Sequence, residues 1–374
     1  MSLVELESIA SSKQSPLNLG LNDGTYCPQA CIDLLLQNNT RTALRNYSTA
    51  DNEPLRRALA KMDGVAPENI YLANGSGPIL KQTIPHLIRG EIKSRFSRVV
   101  KHLFTKNGYP IITPNFTYFK VPAKSMKLGL QVHLLETGPE QNFAIDIPAL
   151  HALLKRQDGL VYIANPNNPT GQLQLTRDEI VELVESYPNS TFWIDEAYVQ
   201  YMPPEIHQPI SDLVPAHNNL LVSRSFSFAY GLAALHLGYL IAQENLVSSL
   251  ESQVTEYRIG KFQEEILLAA ISDEKHQDEI RTWTKEAVKT LREGLEDIGG
   301  IETFDSHCNM VLCRFTDTHT SAPFAQAMQA RGIRIKVFNP LGTTDFSQYF
   351  RITTGIPEEN QRLIRTAKEV LQEL

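Results

Sequence analysis

Short runs of β-branched and aromatic residues alternate with helical segments through the middle of this chain of 374 residues. Six mostly apolar runs are interpreted as strands, and they begin at Asn69, Tyr109, Gln131, Leu160, Thr191 and Asn219. Strands of this kind, separated by crossover helices, are typical of a mainly parallel sheet covered by helices on both faces. The sequence therefore predicts an α/β fold, and ligands of such sheets bind beyond the carboxyl ends of the strands.

The pattern changes after about residue 245. Charged helical segments cover 246–257 and 278–298, and the strand-like runs Met310–Phe315 and Phe350–Thr353 precede a last helix over 358–373. A chain of this length is expected to form two domains. We predict a large domain of residues 35–245, and a smaller α+β domain in which residues 1–34 join residues 246–374.

Charge and composition exclude several classes of protein. The net charge of −7 gives no general attraction to nucleic acid or to anionic lipid. The most apolar stretch, Phe226–Ala242, contains two glycines and His236 and is too short to span a membrane. The amino-terminal residues do not have the pattern of a secretory signal. The four cysteines lack zinc or redox spacing. We expect a cytoplasmic protein with free thiols and no metal.

Three motifs fall at predicted strand ends. Gly75-Ser76-Gly77 lies between a strand and a helix, where backbone N–H groups can bind an anion, although a plain turn has the same composition. Asn165–Gly171, NPNNPTG, contains two prolines and a glycine that would hold an asparagine rigidly. Asp195 ends an apolar strand, and a buried carboxylate requires a cationic or hydrogen-bonding partner. A protonated heterocyclic nitrogen would be such a partner.

The segment Glu91–Asn107 carries five basic residues on an amphipathic helical pattern. We interpret it as a helix with a solvated basic face. The alternative is a docking surface for an acidic partner.

Four motifs carry a family resemblance: NPNNPTG (165–171), IDEAY (194–198), SFSFAYGLAALHLGY (225–239) and FRITTGIPEEN (350–360). On these, the chain resembles the fold-type-I pyridoxal-phosphate-dependent aminotransferases, most closely the histidinol-phosphate aminotransferase group. The resemblance implies a mainly parallel seven-stranded sheet flanked by helices, a smaller α+β domain and a homodimer. It also implies an amino-acid or 2-oxo-acid substrate.

The resemblance implies roles for individual residues of this chain. Five of them would face the cofactor phosphate: Gly75, Ser76, Gly77, Ser225 and Ser227. Tyr47 would reach the same phosphate across the dimer interface. Phe116 would stack on the pyridine ring, Asn168 and Tyr198 would hydrogen-bond the ring hydroxyl, and Asp195 would keep the ring nitrogen protonated. Three residues would contact the substrate, with Arg351 gripping its carboxylate: Arg351, Lys336 and Asn22.

Phe228 stands where the family has the lysine that forms the internal Schiff base. Strand, turn and helix are expected over residues 223–239, around this position. His236 stands where an arginine pairs with the phosphate, and Lys336 where an arginine lies near the substrate. Without that lysine, the tether, the faster amine exchange and the proton shuttle are all lost. Lys261, Lys336 and Lys120 are candidate substitutes, and Tyr198 and His236 are candidates for moving a proton.

We therefore expect an aminotransferase-like protein that binds pyridoxal or pyridoxamine phosphate without a covalent link. Its reaction would be non-standard, such as dehydration, cyclisation or decarboxylation. The alternative is a catalytically inactive homologue that binds a metabolite or serves as a partner subunit.

Overall fold

The computed structural model describes residues 16–37, 44–45, 52–94, 110–127, 129–252, 259–338 and 345–374. The strands within these ranges are β1 Leu17–Asn18, β2 Ile70–Ala73, β3 Ile111–Pro114, β4 Val132–Leu135, β5 Leu160–Ala164, β6 Thr191–Asp195, β7 Leu220–Ser225, β8 Gly238–Ile241, β9 Ile301–Thr303, β10 Met310–Phe315, β11 Ile333–Arg334, β12 Lys336–Val337 and β13 Tyr349–Thr353. The helices are α1 Gln29–Leu36, α2 Glu53–Asp63, α3 Ser76–Ser94, α4 Lys120–Lys127, α5 Ile147–Leu154, α6 Arg177–Ser186, α7 Glu244–Glu251, α8 Lys261–Ser272, α9 Glu274–Glu296, α10 Ser321–Ala330 and α11 Pro357–Glu373.

A seven-stranded sheet forms the larger part of the fold. Its spatial order is β2-β8-β7-β6-β5-β3-β4. The strands from β7 to β4 pair in parallel, and β8 pairs antiparallel with both β2 and β7. The predicted mainly parallel sheet of seven strands is therefore confirmed. One face buries Val161, Ile163 and Ile194, and the other buries Tyr162 and Trp193. Alternate residues of each strand thus point to opposite sides.

The segment after β7 corrects one prediction. Residues 223–239 were expected to continue from strand and turn into a helix, but β8 begins at Gly238 after a short 3-10 turn at Ala233–Leu235. As a strand, Gly238–Ile241 satisfies backbone groups of β2 and β7 on its two sides. A helix there would leave both neighbouring edges without those partners.

A second sheet lies in the carboxy-terminal part of the chain. It is antiparallel, in the order β12-β13-β10-β9, and α9, α10 and α11 pack around it. The short strand β1 pairs in parallel with β11. An amino-terminal segment thus contacts the carboxy-terminal part, while the division of the chain into domains at residues 34 and 245 stays a prediction. No helix of the described ranges has the length and apolarity needed to cross a membrane.

A buried ionic cluster joins α2 to the large sheet on the face opposite Asp195. The Arg224 guanidinium donates to Glu196 Oε2 over 2.7 Å and to the Asp63 carboxylate, and the Tyr239 hydroxyl donates to Asp63 over 2.8 Å. Burial alone would raise the pKa of Glu196, but Arg224 and His207 hold it below its usual value. Glu196 is therefore fully paired, in contrast to its neighbour Asp195.

Candidate functional site

Asp195 ends β6 as a buried carboxylate that is 7% exposed. The Tyr162 hydroxyl donates to its Oδ2 over 2.6 Å, and the Ser223 hydroxyl donates to its Oδ1 over 3.0 Å. Burial raises the pKa of Asp195, and these two hydrogen bonds oppose the rise. No lysine, arginine or histidine pairs with Asp195 in the described ranges. Its negative charge is therefore met by neutral donors alone.

The loop Asn165–Gly171 is fixed by its own side chains. Asn165 Oδ1 accepts from the backbone N–H groups of Gln174 and Leu175, and Asn167 Nδ2 donates to the Phe116 carbonyl over 2.9 Å. Gly171 has φ +73°, and a Cβ there would lie 1.9 Å from Ser306 Oγ. The rigid loop that the motif predicts therefore forms and holds Asn168 in a fixed place.

Asn168, Tyr198, Asn22 and Arg351 form one hydrogen-bonded chain. Arg351 donates to Asn168 Oδ1 over 2.6 Å, which turns the amide nitrogen of Asn168 towards the Tyr198 hydroxyl at 3.2 Å. Asn22 Nδ2 donates to the same hydroxyl over 3.0 Å, and Asn22 Oδ1 accepts from Thr353. The Tyr198 oxygen thus accepts twice, while its own proton has no acceptor among the described residues.

Arg351 is a buried cation without an anion. It is 5% exposed, its second terminal nitrogen donates to the Gly20 carbonyl over 2.7 Å, and its Nε has no partner in the described part of the chain. Burial lowers the pKa of Arg351, because no carboxylate of the described residues offsets the cost of removing its charge from water. A ligand carboxylate would complete its hydrogen bonding.

Phe228 is half-buried and stacks on the Tyr198 ring, with centroids 4.2 Å apart and planes 14° apart. The side chain at the expected lysine position thus contacts a residue of the chain described above. This places position 228 beside the predicted ring-binding residues.

The residues predicted to face a phosphate are brought together by strand register. Gly238 of β8 pairs with Ala73 on one side and with Ser225 on the other. Gly75, which has φ +90°, lies beside His236: a Cβ at Gly75 would be 3.3 Å from the His236 carbonyl oxygen. Ser225 Oγ accepts from the Ser227 N–H over 3.1 Å.

Some of the predicted residues fall outside the description. Tyr47 and the side chain of Ser76 lie outside the described residues, as do 95–107 and the side chains of 91–94. The predicted roles of Tyr47 and of the basic segment therefore stay predictions. Cys31, Cys308 and Cys313 are buried free thiols, and Cys27 is half-buried.

Phe116 does not present an open ring face. Phe346 stacks on it at 4.1 Å and 11°, and the ring is 3% exposed within a cluster of aromatic residues. A ring this enclosed leaves no adjoining space for a pyridine ring, which corrects the expectation of a platform there. Burial raises the pKa values of Tyr162 and Tyr198, and the nearby Tyr118 hydroxyl adds to both shifts. Tyr118 thus lies near Tyr162 and Tyr198, and Phe119 of the same segment lies beside Lys336.

Two of the candidate lysines, Lys261 and Lys336, have different surroundings. Lys261 lies 3.7 and 3.9 Å from two glutamates of its own helix, Glu264 and Glu265. Lys336 lies directly across from Arg351 in the small sheet, and its ammonium is 5.3 Å from the centre of the Phe119 ring. Burial, Arg351 and Lys120 together lower the pKa of Lys336. Lys336 is thus the candidate that the fold places beside Arg351.

Sequence reasoning missed the residues that support Asp195. Trp193 Nε1 donates to Ser223, which donates to Asp195, and Tyr162 completes the set. The alternation of side chains between the two faces of β5, β6 and β7 could have predicted them, since every second residue of a strand points to the same face. Tyr162, Trp193 and Asp195 share one face for this reason.

Comparisons with known proteins identify the family of the chain. The family model for aminotransferases of class I and II matches residues 15–366. A histidinol-phosphate aminotransferase of Acinetobacter baylyi is 27% identical over 362 residues, 95% of this chain and 91% of the relative.

Two solved structures share the fold. That of histidinol-phosphate aminotransferase from Sinorhizobium meliloti, in complex with pyridoxal-5'-phosphate, has a TM-score of 0.79 at 22% identity, covering 100% of this chain and 95% of that one. L-threonine-O-3-phosphate decarboxylase from Porphyromonas gingivalis has a TM-score of 0.74 at 23% identity, covering 95% and 99%. Because the family model spans almost the entire sequence, this chain belongs to the class I and II aminotransferases.

Proposed function

We propose that this protein binds pyridoxal or pyridoxamine phosphate without a covalent link, together with an amino acid or 2-oxo acid. One observation carries the proposal. Among the described residues, the buried carboxylate of Asp195 has no cationic partner and the buried guanidinium of Arg351 has no anionic one, and Asn168 and Tyr198 link Arg351 to the Asp195 segment by hydrogen bonds. A protonated pyridine ring would supply a cation for Asp195, and a substrate carboxylate would supply an anion for Arg351. The bound pyridoxal phosphate of the S. meliloti relative supports this choice of ligand.

The residues near Asp195 fit the ring of this cofactor. The Asp195 carboxylate would hold the ring nitrogen protonated, and Tyr162 and Ser223 would keep the carboxylate oriented. When bound, the cofactor supplies an electron sink for a carbanion at the substrate Cα. The Tyr198 hydroxyl, whose proton has no acceptor among the described residues, would donate a hydrogen bond to the hydroxyl of the cofactor ring. Burial raises the pKa of Tyr198, so this hydroxyl stays protonated at neutral pH and acts as a donor rather than as a base.

Arg351 would bind the substrate carboxylate through Nε and its remaining terminal N–H groups. Arginine suits this role because its planar fork matches a carboxylate. Asn22 would orient Tyr198 from the substrate side, and Lys336 would add positive charge beside Arg351. In a homodimer, Tyr47 of a second copy would reach the cofactor phosphate.

Phe228 has no group that can form an imine or move a proton, so the reaction is expected to differ from ordinary amine transfer. His236 is exposed at the edge of the site and is the candidate for handling a proton. The same Phe228 favours the second candidate function, an inactive homologue that binds a metabolite or serves as a partner subunit. Phe228 stacks on Tyr198, so a hydrocarbon ring without a reactive group occupies the position where the family has its lysine.

An absorption and trapping experiment separates these functions. The purified protein is titrated separately with pyridoxal phosphate and with pyridoxamine phosphate, and the pyridoxal phosphate sample is then treated with borohydride and analysed by peptide mass. We expect a bound chromophore that leaves no lysine adduct. A stoichiometric adduct on Lys336 or Lys261 would instead identify a substitute lysine and contradict the non-covalent site. No binding of either cofactor form would support the inactive homologue.

A further inference from the structure

Three lysines form a group near the first turn of α3, here named the lysine cluster: Lys81, Lys120 and Lys124. The Lys124 ammonium donates to the Gly77 carbonyl over 3.2 Å. Burial lowers the pKa of Lys124, and the charges of Lys120 and Lys81 lower it further. No carboxylate pairs with any of the three within the described ranges. Lys81 and Lys120 are exposed to water, whereas the half-buried Lys124 has the Gly77 carbonyl as its hydrogen-bond partner among the described residues.

The lysine cluster lies at the end of the site where a phosphate is expected. Lys124 contacts Gly77, in the same turn as Gly75, and Gly75 packs against the backbone of His236. Beside Gly77 there is open space among the described residues: apart from its chain neighbours and the backbone of its own helix, none of their atoms lies within 4 Å of the position a Cβ would take. An anion in that space would meet both the Lys124 ammonium and the amino end of a 19-residue helix.

We propose that Lys124, flanked by Lys120 and Lys81, binds the phosphate of the cofactor and replaces the arginine that the family resemblance places at position 236. The inference rests on the proposed function, because it assigns one end of the same ligand. A phosphate carries up to two negative charges and three acceptor oxygens, so it neutralises clustered ammonium groups better than a carbonyl does. His236 offers an exposed imidazole where a guanidinium would make a bidentate contact.

The test uses pyridoxamine 5'-phosphate and pyridoxamine, which are amines and cannot condense with a lysine. Their dissociation constants are measured by calorimetry on the full chain for wild type, Lys124→Gln and Lys127→Gln. Lys127 lies on the same helix α4 but is exposed, so its variant is the matched control. We expect Lys124→Gln to weaken pyridoxamine phosphate by about tenfold or more, the usual worth of a charged hydrogen bond. Pyridoxamine binding and the Lys127→Gln variant should be unchanged.

The outcomes distinguish a failure of the phosphate role of Lys124 from a failure of the proposed cofactor binding. Equal affinities of Lys124→Gln and Lys127→Gln for pyridoxamine phosphate would overturn the phosphate role of Lys124. An equal loss of both ligands in Lys124→Gln would also overturn it, because a phosphate contact cannot affect a ligand without phosphate. Failure of the wild type to bind either ligand would instead remove the proposed function itself.

Discussion

At the scale of single residues, the site contains opposite charges that the described protein does not satisfy. Asp195 is buried among neutral donors, whereas its neighbour Glu196 is paired with Arg224. The difference arises because successive strand residues point to opposite faces, one towards the ionic cluster and one towards the site. An unpaired buried carboxylate lowers stability, so it is best explained by a ligand that supplies the missing cation.

Asp195→Asn should abolish binding of the pyridine ring. Losing one partner of a buried ion pair costs about 3–5 kcal/mol, or roughly 10²–10⁴-fold in affinity for pyridoxamine phosphate. Calorimetric titration measures it. Unchanged affinity would show that the carboxylate serves some other partner.

The same variant makes a prediction about stability and pH. The pKa of Asp195 is raised above its ordinary value of 3.8 in the folded state. The folded protein therefore binds this proton more tightly than the unfolded chain, and wild-type stability falls as pH rises through the raised pKa. At pH 7 without ligand, Asp195→Asn should melt no lower than wild type. As pH falls towards 4, the melting temperature of the wild type should rise relative to that of the variant. A difference in melting temperature that does not change with pH would contradict the raised pKa of Asp195.

At the scale of elements, the connection from β7 to β8 decides what chemistry is open to the site. It carries Ser225, Ser227, Phe228 and His236, and it turns back into a strand instead of a helix. The stacked contact of Phe228 with Tyr198 predicts that this position lies within reach of the ring site.

Phe228→Lys should therefore create a covalent site for pyridoxal phosphate. We expect borohydride to fix the cofactor on position 228, at a cost of about 0.5–1.5 kcal/mol for the lost ring contact. Peptide mass and thermal melting measure the two effects. Ala234→Lys is the matched control, since it adds an exposed lysine to the same connection and should gain no adduct. An adduct on the control alone would contradict the predicted geometry.

At the scale of the whole molecule, the site forms between the two sheets. Arg351 of β13 belongs to the small sheet, and it donates to Asn168 in a loop of the large one. Asn22, from the amino-terminal segment, donates to Tyr198 and accepts from Thr353. Binding a substrate carboxylate is thus expected to depend on how the two parts are held together.

Arg351→Lys should weaken binding of an L-amino acid to the cofactor-loaded protein by about tenfold or more. A lysine keeps the positive charge but loses the fork that holds Asn168 and the Gly20 carbonyl. The change in cofactor absorption on titration measures the affinity. Arg334→Lys, exposed on β11, is the control and should behave as wild type. Equal affinities of the two variants would exclude Arg351 from the carboxylate site.

The sequence alone was enough to predict the sheet, the rigid Asn165–Gly171 loop and the hydrogen-bonded burial of Asp195. These depend on local pattern: apolar runs, proline spacing and a carboxylate at a strand end. The enclosed ring of Phe116 was not foreseeable in the same way, because Phe346 is far from it in the chain and meets it only through packing.

The sequence by itself determined which chemical groups this protein can use, including the absence of a lysine at position 228. Only the tertiary structure decided which of those groups remain unpaired. Glu196 and Asp195 are chemically similar neighbours, yet Glu196 meets Arg224 and His207 while Asp195 meets Tyr162 and Ser223. Compensation of a buried charge depends on distance in space, and Arg224, His207 and Tyr162 come close to these carboxylates only when the strands and the loops between them assemble.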